Sequence, residues 1–359
     1  MDRKVVVGMS GGVDSSVAAY LLKEQGYEVI GVNMRMWHGE DAAGENGACK
    51  MSAVEDAEHV AQMLGIPFYV ADFREEFKSC VVDYFVEEYL RGRTPNPCNA
   101  CNRFVKWEAL LQKAAKLGAD YIATGHYARI EKLANGRYAA KNSVTAKKDQ
   151  TYALYGLTQK QLSHTLMPNG DYTKEEIRGI AVNLGLPVAA KPDSQDICFI
   201  PDGDYAAFLE REAPGRLAGE GNFVGMDGRV LGRHKGIIHY TIGQRKGLGL
   251  SMGHPVFVAG IRKESNEVLI GENEDLYTCQ VLCDNINYMA MEDLPEPKRA
   301  VVKIRYAHMG SACLLEKLAD GRVKCTFDEA VRAPAPGQAA VFYEDGYVLG
   351  GGTICGTLP

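Results

Sequence analysis

The stretch GMSGGVDSS, residues 8–16, lies between two apolar runs, Val5-Val6-Val7 and Val17-Ala18-Ala19. A short apolar run, a glycine-rich turn and a second run at helical spacing read as strand, loop and helix. Glycines let backbone N–H groups approach phosphate oxygens, and the helix that follows adds the positive end of its dipole. Ser10, Ser15 and Ser16 add hydroxyl donors. The plainer reading is an ordinary strand–turn–helix with Asp14 as a cap. The Gly-Lys-Ser/Thr ending of a Walker loop is missing, so γ-phosphoryl transfer is not favoured.

Outward from this loop, strand and helix patterns alternate. Strands are predicted at 4–9, 27–34, 67–71 and 121–124, and helices at 13–25, 52–64, 75–90 and 103–117. The 52–64 helix opens on a capping box, Ser52-x-x-Glu55. Such alternation implies a parallel sheet covered by helices, with ligands beyond the carboxyl ends of its strands. Segments 8–16, 33–37 and 124–127 each follow a strand, so they are expected at one edge. Residues 146–200 read as mostly helical, with Thr173-x-x-Glu176 opening a helix through Leu184. Residues 215–254 are rich in glycine and poor in helix formers, with RHKGIIHYTIGQRKGLGL (233–250) the densest part. From about 277 short alternating runs at 300–306, 312–316, 322–327 and 339–344 predict a small all-β barrel or sandwich. The expected division is 1–200, 201–276 and 277–359.

The whole chain fits that scheme. Its 359 residues suffice for two or three domains, and 46% hydrophobic with 24% charged residues is ordinary for a globular protein. A net charge of −6 argues against a general nucleic-acid coat but leaves room for a local basic cleft. No secretion signal is recognised after Met1, and no apolar run approaches the ~20 residues that span a bilayer. Ten cysteines without such a signal point to reactive, metal-binding or buried thiols rather than a disulfide framework, and to the cytoplasm.

Two further segments carry chemistry. GRTPNPCNACNRFVKW (92–107) sets a proline-locked loop and Cys98-x-x-Cys101 ahead of a helix, close to Arg91, Arg93, Arg103 and Lys106. A thiol at a helix N-terminus among cations is expected to have a lowered pKa. No acid interrupts Leu90 to Glu108, so the patch suits a phosphate backbone. Half a zinc site or a thioredoxin-type pair are the alternatives; the nearest other pair, Cys279 and Cys283, reads as core of the β domain. In KPDSQDICFIP (191–201), Cys198 taken alone reads as a buried structural cysteine.

The SGGxDSS string resembles the loop of the ATP pyrophosphatases, which split ATP between its α and β phosphates. With GRTPNPCxxCN, YIATGHYARI (121–130), KDQTYAL (148–154), SQDICFI (194–200), HYTIGQRKGLG (239–249), IRYAH (304–308) and PGQAAVFY (336–343), the chain is identified as a member of the tRNA-specific 2-thiouridylase family. The resemblance covers essentially the whole sequence. It implies an α/β fold with an adenine-nucleotide α-hydrolase-like (PP-loop) parallel sheet, a small central domain and a C-terminal β-barrel-like domain.

The same resemblance implies roles. Gly8, Met9, Ser10, Gly11, Gly12, Val13, Asp14 and Ser15, with Met34 and Gly125, bind ATP, and Mg²⁺ accompanies it, with Asp14 a candidate ligand. Adenylation turns the uridine C2 oxygen into a good leaving group. Cys198 carries a persulfide whose terminal sulfur replaces that oxygen, and Cys101 is the second catalytic thiol, ending in a Cys101–Cys198 disulfide. Asn96, Pro97 and Cys98 meet the target base, and His126, Lys148, Asp149, Gln150, Arg305, Tyr306 and Gln338 meet tRNA. Arg229, Arg233, Lys235, Arg245 and Lys246 could add phosphate contacts. Many members read PNPD where this chain reads Pro95-Asn96-Pro97-Cys98. The extra thiol opens an alternative in which Cys98, Cys101 and Cys198 hold a [4Fe–4S] cluster that delivers sulfide. Expected partners are the lysine, glutamate and glutamine tRNAs and a cysteine desulfurase or sulfur-relay protein; no membrane is expected. Cys49, Cys80, Cys313, Cys325 and Cys355 are taken as structural or incidental.

Overall fold

A computed structural model describes residues 3–37, 53–192 and 197–358. Ser52, Cys49 and the Ser194–Asp196 part of SQDICFI therefore lie outside the described residues.

The first sheet runs β1 (Lys4–Gly8), β2 (Glu28–Arg35), β3 (Phe68–Asp72) and β4 (Tyr121–Ala123) in the order β3-β2-β1-β4, all parallel, with a short fifth strand at Thr165–Leu166 beyond β4. Val5, Val6 and Val7 are all fully buried because both faces of β1 are covered. Val6 packs with the helices over 74–90 and 97–116. Val5 and Val7 pack instead with α1 (Val13–Glu24), α2 (Ala53–Leu64) and the helix Lys174–Asn183. Since β1, β2 and β4 are parallel neighbours, their carboxyl ends bring 8–16, 33–37 and 124–127 to one edge, as the alternation predicts.

Thr173 caps the Lys174–Asn183 helix through a reciprocal capping box with Glu176. The predicted 103–117 helix instead begins at Pro97. Asn96 caps it by accepting from the Cys98 N–H at 3.1 Å, and the helix takes wider π-type turns over Cys101–Ala109. Cys101 is thus in the second turn, not at the N-terminus.

A hairpin, β5 (Ala128–Lys132) and β6 (Tyr138–Asn142), leaves the first sheet's edge; the fifth strand is β7 (Thr165–Leu166). The glycine-rich stretch folds around β8 (Gly221–Gly225), β9 (Val230–His234), β10 (Phe257–Arg262) and β11 (Glu267–Gly271), ordered β10-β11-β8-β9 over Phe223, Val258 and Val268. Six antiparallel strands close the last domain: β12 (Tyr277–Tyr288), β13 (Lys298–Lys303), β14 (Ser311–Lys317), β15 (Val323–Arg332), β16 (Ala339–Glu344) and β17 (Tyr347–Leu358), with β12 pairing β17. Hairpin β5–β6 joins this sheet through β17, at Tyr347 opposite Lys141, so the N-terminal domain and barrel share hydrogen-bonded strands. Cys283, Cys313 and Cys325 are core there, but Cys279 is exposed at the bulged start of β12 and is not. No helix among the described residues is long and apolar enough to cross a membrane.

Candidate active site

The loop after β1 is built for a backbone-lined anion site. Gly12 occupies the N-cap of α1 and offers no side-chain acceptor, so the first-turn amides stay open to a ligand. Gly11 has φ +71°, and a Cβ there would meet the Ala53 carbonyl oxygen at 2.2 Å. At Gly8 a Cβ would meet the Met34 methyl at 2.9 Å, so Met34 lies directly over the loop's start. A Cβ on Gly125 would lie 2.6 Å from the Asp14–Ser15 peptide, which is how the β4 end closes on the loop. Asn169 stitches the two together by donating to the Asp14 and Gly125 carbonyls at 3.0 and 3.2 Å. Ser15 Oγ accepts from the Ser10 N–H at 3.1 Å and sits 3.3 Å from Ser10 Oγ, which leaves Ser10 exposed at the loop's mouth. Ser16 is fully buried and donates to the Gly12 carbonyl, so it shapes the loop and offers no phosphate a hydroxyl.

Two lysines that sequence spacing does not point to flank this loop. Lys174 holds both Asp14 oxygens at 2.7 and 2.8 Å, and the Tyr127 hydroxyl donates to one of them at 2.7 Å. Asp14 is therefore committed to bracing α1 and does not fit as a magnesium ligand. On the other side Lys191 pairs with the buried Asp56 of α2 and donates to the Gly11 carbonyl at 3.1 Å. Lys191 thus sets an ammonium beside the loop, held there by Asp56 and the Gly11 carbonyl. Its one signal was its place at the head of KPDSQDICFIP.

The thiols divide by exposure. Cys98 and Cys198 are exposed, whereas Cys101 is buried with its Sγ 4.0 Å from Met36 Sδ. Burial pushes the Cys101 thiol up to about 12; Lys106 opposes that rise, and the nearby Cys198 and Cys98 add to it. The lowered pKa expected from helix position is overturned, because the helix starts one turn earlier and buries the sulfur. We expect iodoacetamide to label Cys101 on the order of 10²-fold more slowly than Cys198 at pH 8. Peptide mapping over time checks this, and equal rates would contradict the burial. Among the described residues no three His, Cys, Asp or Glu side chains converge as a metal site. Cys98, Cys101 and Cys198 as placed are not a cluster's ligand set. The cationic patch is also tempered, since the buried Glu88 takes Arg91 at 3.0 Å and Arg93 at 3.7 Å.

Most residues expected to meet RNA also make hydrogen bonds or ring contacts within the protein. Asp149 accepts from the Ser143 N–H and the Thr151 hydroxyl, and Gln150 accepts from the Tyr127 N–H at 2.9 Å. Lys148 ends a one-turn helix and is partly buried. His126 packs on Trp107, with ring centroids 5.4 Å apart, and its Nδ1 lies 2.7 Å from the Thr124 hydroxyl. Burial pulls its pKa down to about 3, so His126 is neutral and meets any ligand through hydrogen bonds alone. Arg305 donates to the Arg332 carbonyl at 2.8 Å. Tyr306, half exposed, stands within electrostatic reach of Cys98. Gln338 donates to the Thr94 carbonyl at 2.9 Å, and the Thr94 N–H donates to Pro336 at 2.8 Å. The barrel therefore grips the loop that leads into Pro95-Asn96-Pro97-Cys98. In the central domain Arg229 and Arg233 lie beside Asp227 and Glu220 on exposed surface.

Comparison with known proteins follows the same three parts. Family models match at residues 3–202 (tRNA methyl transferase HUP domain), 206–272 (tRNA methyl transferase PRC-barrel domain) and 279–354 (aminomethyltransferase beta-barrel domain). A tRNA-specific 2-thiouridylase MnmA of Lachnoclostridium phytofermentans is 59% identical over 355 residues, 98% of this chain and 99% of that protein. Those of Clostridioides difficile and Clostridium perfringens are 52% and 53% identical, over 99% and 98% of this chain and 98% of each relative. With identity of that order from end to end, this chain belongs to the tRNA-specific 2-thiouridylase family.

Proposed function

We propose that this chain converts the wobble uridine of tRNA to 2-thiouridine, consuming ATP and releasing pyrophosphate and AMP. The observation that carries this reading is the meeting of an α/β-splitting loop with two thiol-bearing segments. Gly8–Ser15 and Lys191 hold the polyphosphate, Met34 and Gly125 bound the nucleoside, and Lys191 is the cation the loop itself lacks. Asn96, Pro97 and Cys98 face the target base, and the barrel, through Gln338, holds the Thr94 end of that loop in place.

Uridine C2 is a poor electrophile until its oxygen leaves as AMP. The exposed Cys198 then delivers its persulfide sulfur. Cys101 completes the exchange by forming a disulfide with Cys198, which a thiol reductant reopens. At rest Cys101 is a protonated, buried thiol, so its turn comes only after substrates have changed the charge and packing around it. Delivery by persulfide is preferred over a [4Fe–4S] cluster because it needs two thiols in sequence, not three converging at once. The sulfur comes from a cysteine desulfurase or a relay protein, and the lysine, glutamate and glutamine tRNAs are the expected substrates.

The test is pyrophosphate release from ATP with and without unmodified tRNA. Release dependent on a tRNA with a wobble uridine supports the reading. Release without tRNA, or methylation of tRNA without pyrophosphate, would overturn it.

A further inference from the structure

The motif HYTIGQRKGLG takes no part in the chemistry above, yet its His239, Thr241 and Gln244 line a cavity of about 470 Å³. Tyr89, Pro95 and Ile197, the residue before Cys198, also line it. Three segments distant in sequence thus converge next to Cys198 but outside the nucleotide loop. Thr94, which the barrel holds through Gln338, also ties this lining to the central domain, with its hydroxyl 3.2 Å from that of Thr241.

The lining has a definite character. It presents aromatic rings and neutral hydrogen-bonding groups, one carboxylate (Asp204), and no lysine or arginine among the described residues. Burial lowers the pKa of His239, with Glu210 and Asp204 opposing and Lys235 reinforcing that shift, so its imidazole is neutral near pH 7. A phosphate backbone entering here would find no cation and would face Asp204. An extended peptide finds what it needs: aromatic surface for a side chain and neutral donors and acceptors for its backbone.

We propose that this cavity receives the cysteine-bearing loop of the protein that loads Cys198 with sulfur. The inference rests on the thiolation reading. In the loading step the Cys198 thiolate attacks the terminal sulfur of the donor's persulfide. The donor's S–S bond breaks, the donor thiolate leaves and takes up a proton, and a Cys198 persulfide forms with no net oxidation or reduction. The visitor must reach Cys198 while the nucleotide loop and the base pocket remain free for substrates. A cavity lined by Ile197 and Pro95 but by none of residues 8–16 or 96–98 meets that requirement.

The test fills the cavity with Ala206→Trp and measures Cys198 persulfidation by intact-protein mass spectrometry. One donor is a cysteine desulfurase carrying its own persulfide; the other is free cysteine persulfide. Loading from the protein donor is expected to fall at least 10-fold, while loading from the small persulfide and tRNA-dependent pyrophosphate release stay at wild-type values. Equal loading from both donors, or a raised KM for tRNA with normal loading, would overturn the inference, the second by giving the cavity to RNA. If Ala206→Trp also loses pyrophosphate release, Ala206→Met replaces it, with a several-fold selective loss expected and no selective loss overturning the inference. Failure of the wild-type protein to release pyrophosphate with tRNA would instead count against the thiolation reading itself.

Discussion

Cys198→Ser is expected to abolish 2-thiouridine formation, by on the order of 10³-fold or more, while tRNA-dependent pyrophosphate release persists. The reason is a division of labour in space. In the proposed reading the loop over Gly8–Ser15 and Lys191 hold the nucleotide, and Lys191 is anchored to Gly11 and Asp56 on the α1–α2 side of that loop. Serine is close in size and stays exposed at that position, so the fold and the adenylation step are left alone. It cannot carry a sulfane sulfur, and its hydroxyl is far too weak an acid to replace the thiolate. The measurement pairs pyrophosphate release with mass spectrometry of nucleosides from the same reaction. An adenylated tRNA, or AMP from its hydrolysis, should accumulate without thiolated product. Retention of thiolation would place the sulfur elsewhere, and Cys98 would be the next thiol to replace. Cys101→Ser should differ from both: persulfide should still load onto Cys198, and turnover should stop after it.

Much of this was legible in the sequence because the signals are local. Val5-Val6-Val7 before a glycine turn can hardly be other than a buried parallel strand feeding a loop, and Thr173-x-x-Glu176 writes its own helix start. What the sequence hid depends on long-range packing. Cys101 looks like an activated thiol at a helix entrance, but Pro97 at the first helical position and the Asn96 cap move that entrance one turn upstream, and burial reverses the pKa. The patch from Arg91 to Lys106 reads as uniformly basic, yet Glu88, one turn earlier on the preceding helix, neutralises part of it. Gln338 is singled out by its motif as an RNA contact, and the sequence does not show that its amide also donates to Thr94, more than two hundred residues away. Hairpin β5–β6 escaped notice for the same reason: its partner strand lies near the other end of the chain.

Lys191 is the residue for which that difference has the largest consequence. Lys191→Ala is expected to lower tRNA-dependent pyrophosphate release by roughly 10²-fold or more, the scale of losing one well-placed charge that stabilises a leaving group. Two effects would be mixed in that variant. Removing the ammonium also strands the Asp56 carboxylate, whose side chain is 8% exposed, and an uncompensated buried charge costs about 3–5 kcal/mol. The cost here falls toward the low end, since the Lys191 side chain is itself 39% exposed and water can approach. The double variant Lys191→Met with Asp56→Asn separates the two, because it removes the stranded charge and restores a neutral, packable pair. If Lys191 acts on the polyphosphate, the double variant should melt close to wild type yet still bind ATP at least 10-fold more weakly, with adenosine binding unchanged. Lys191→Arg should recover part of the loss in affinity, since it restores the charge. If instead the double variant regains full pyrophosphate release, Lys191 serves only to neutralise Asp56 and seat α2 against Gly11. The loop's backbone amides, the Ser10 hydroxyl and the α1 dipole would then hold the leaving pyrophosphate.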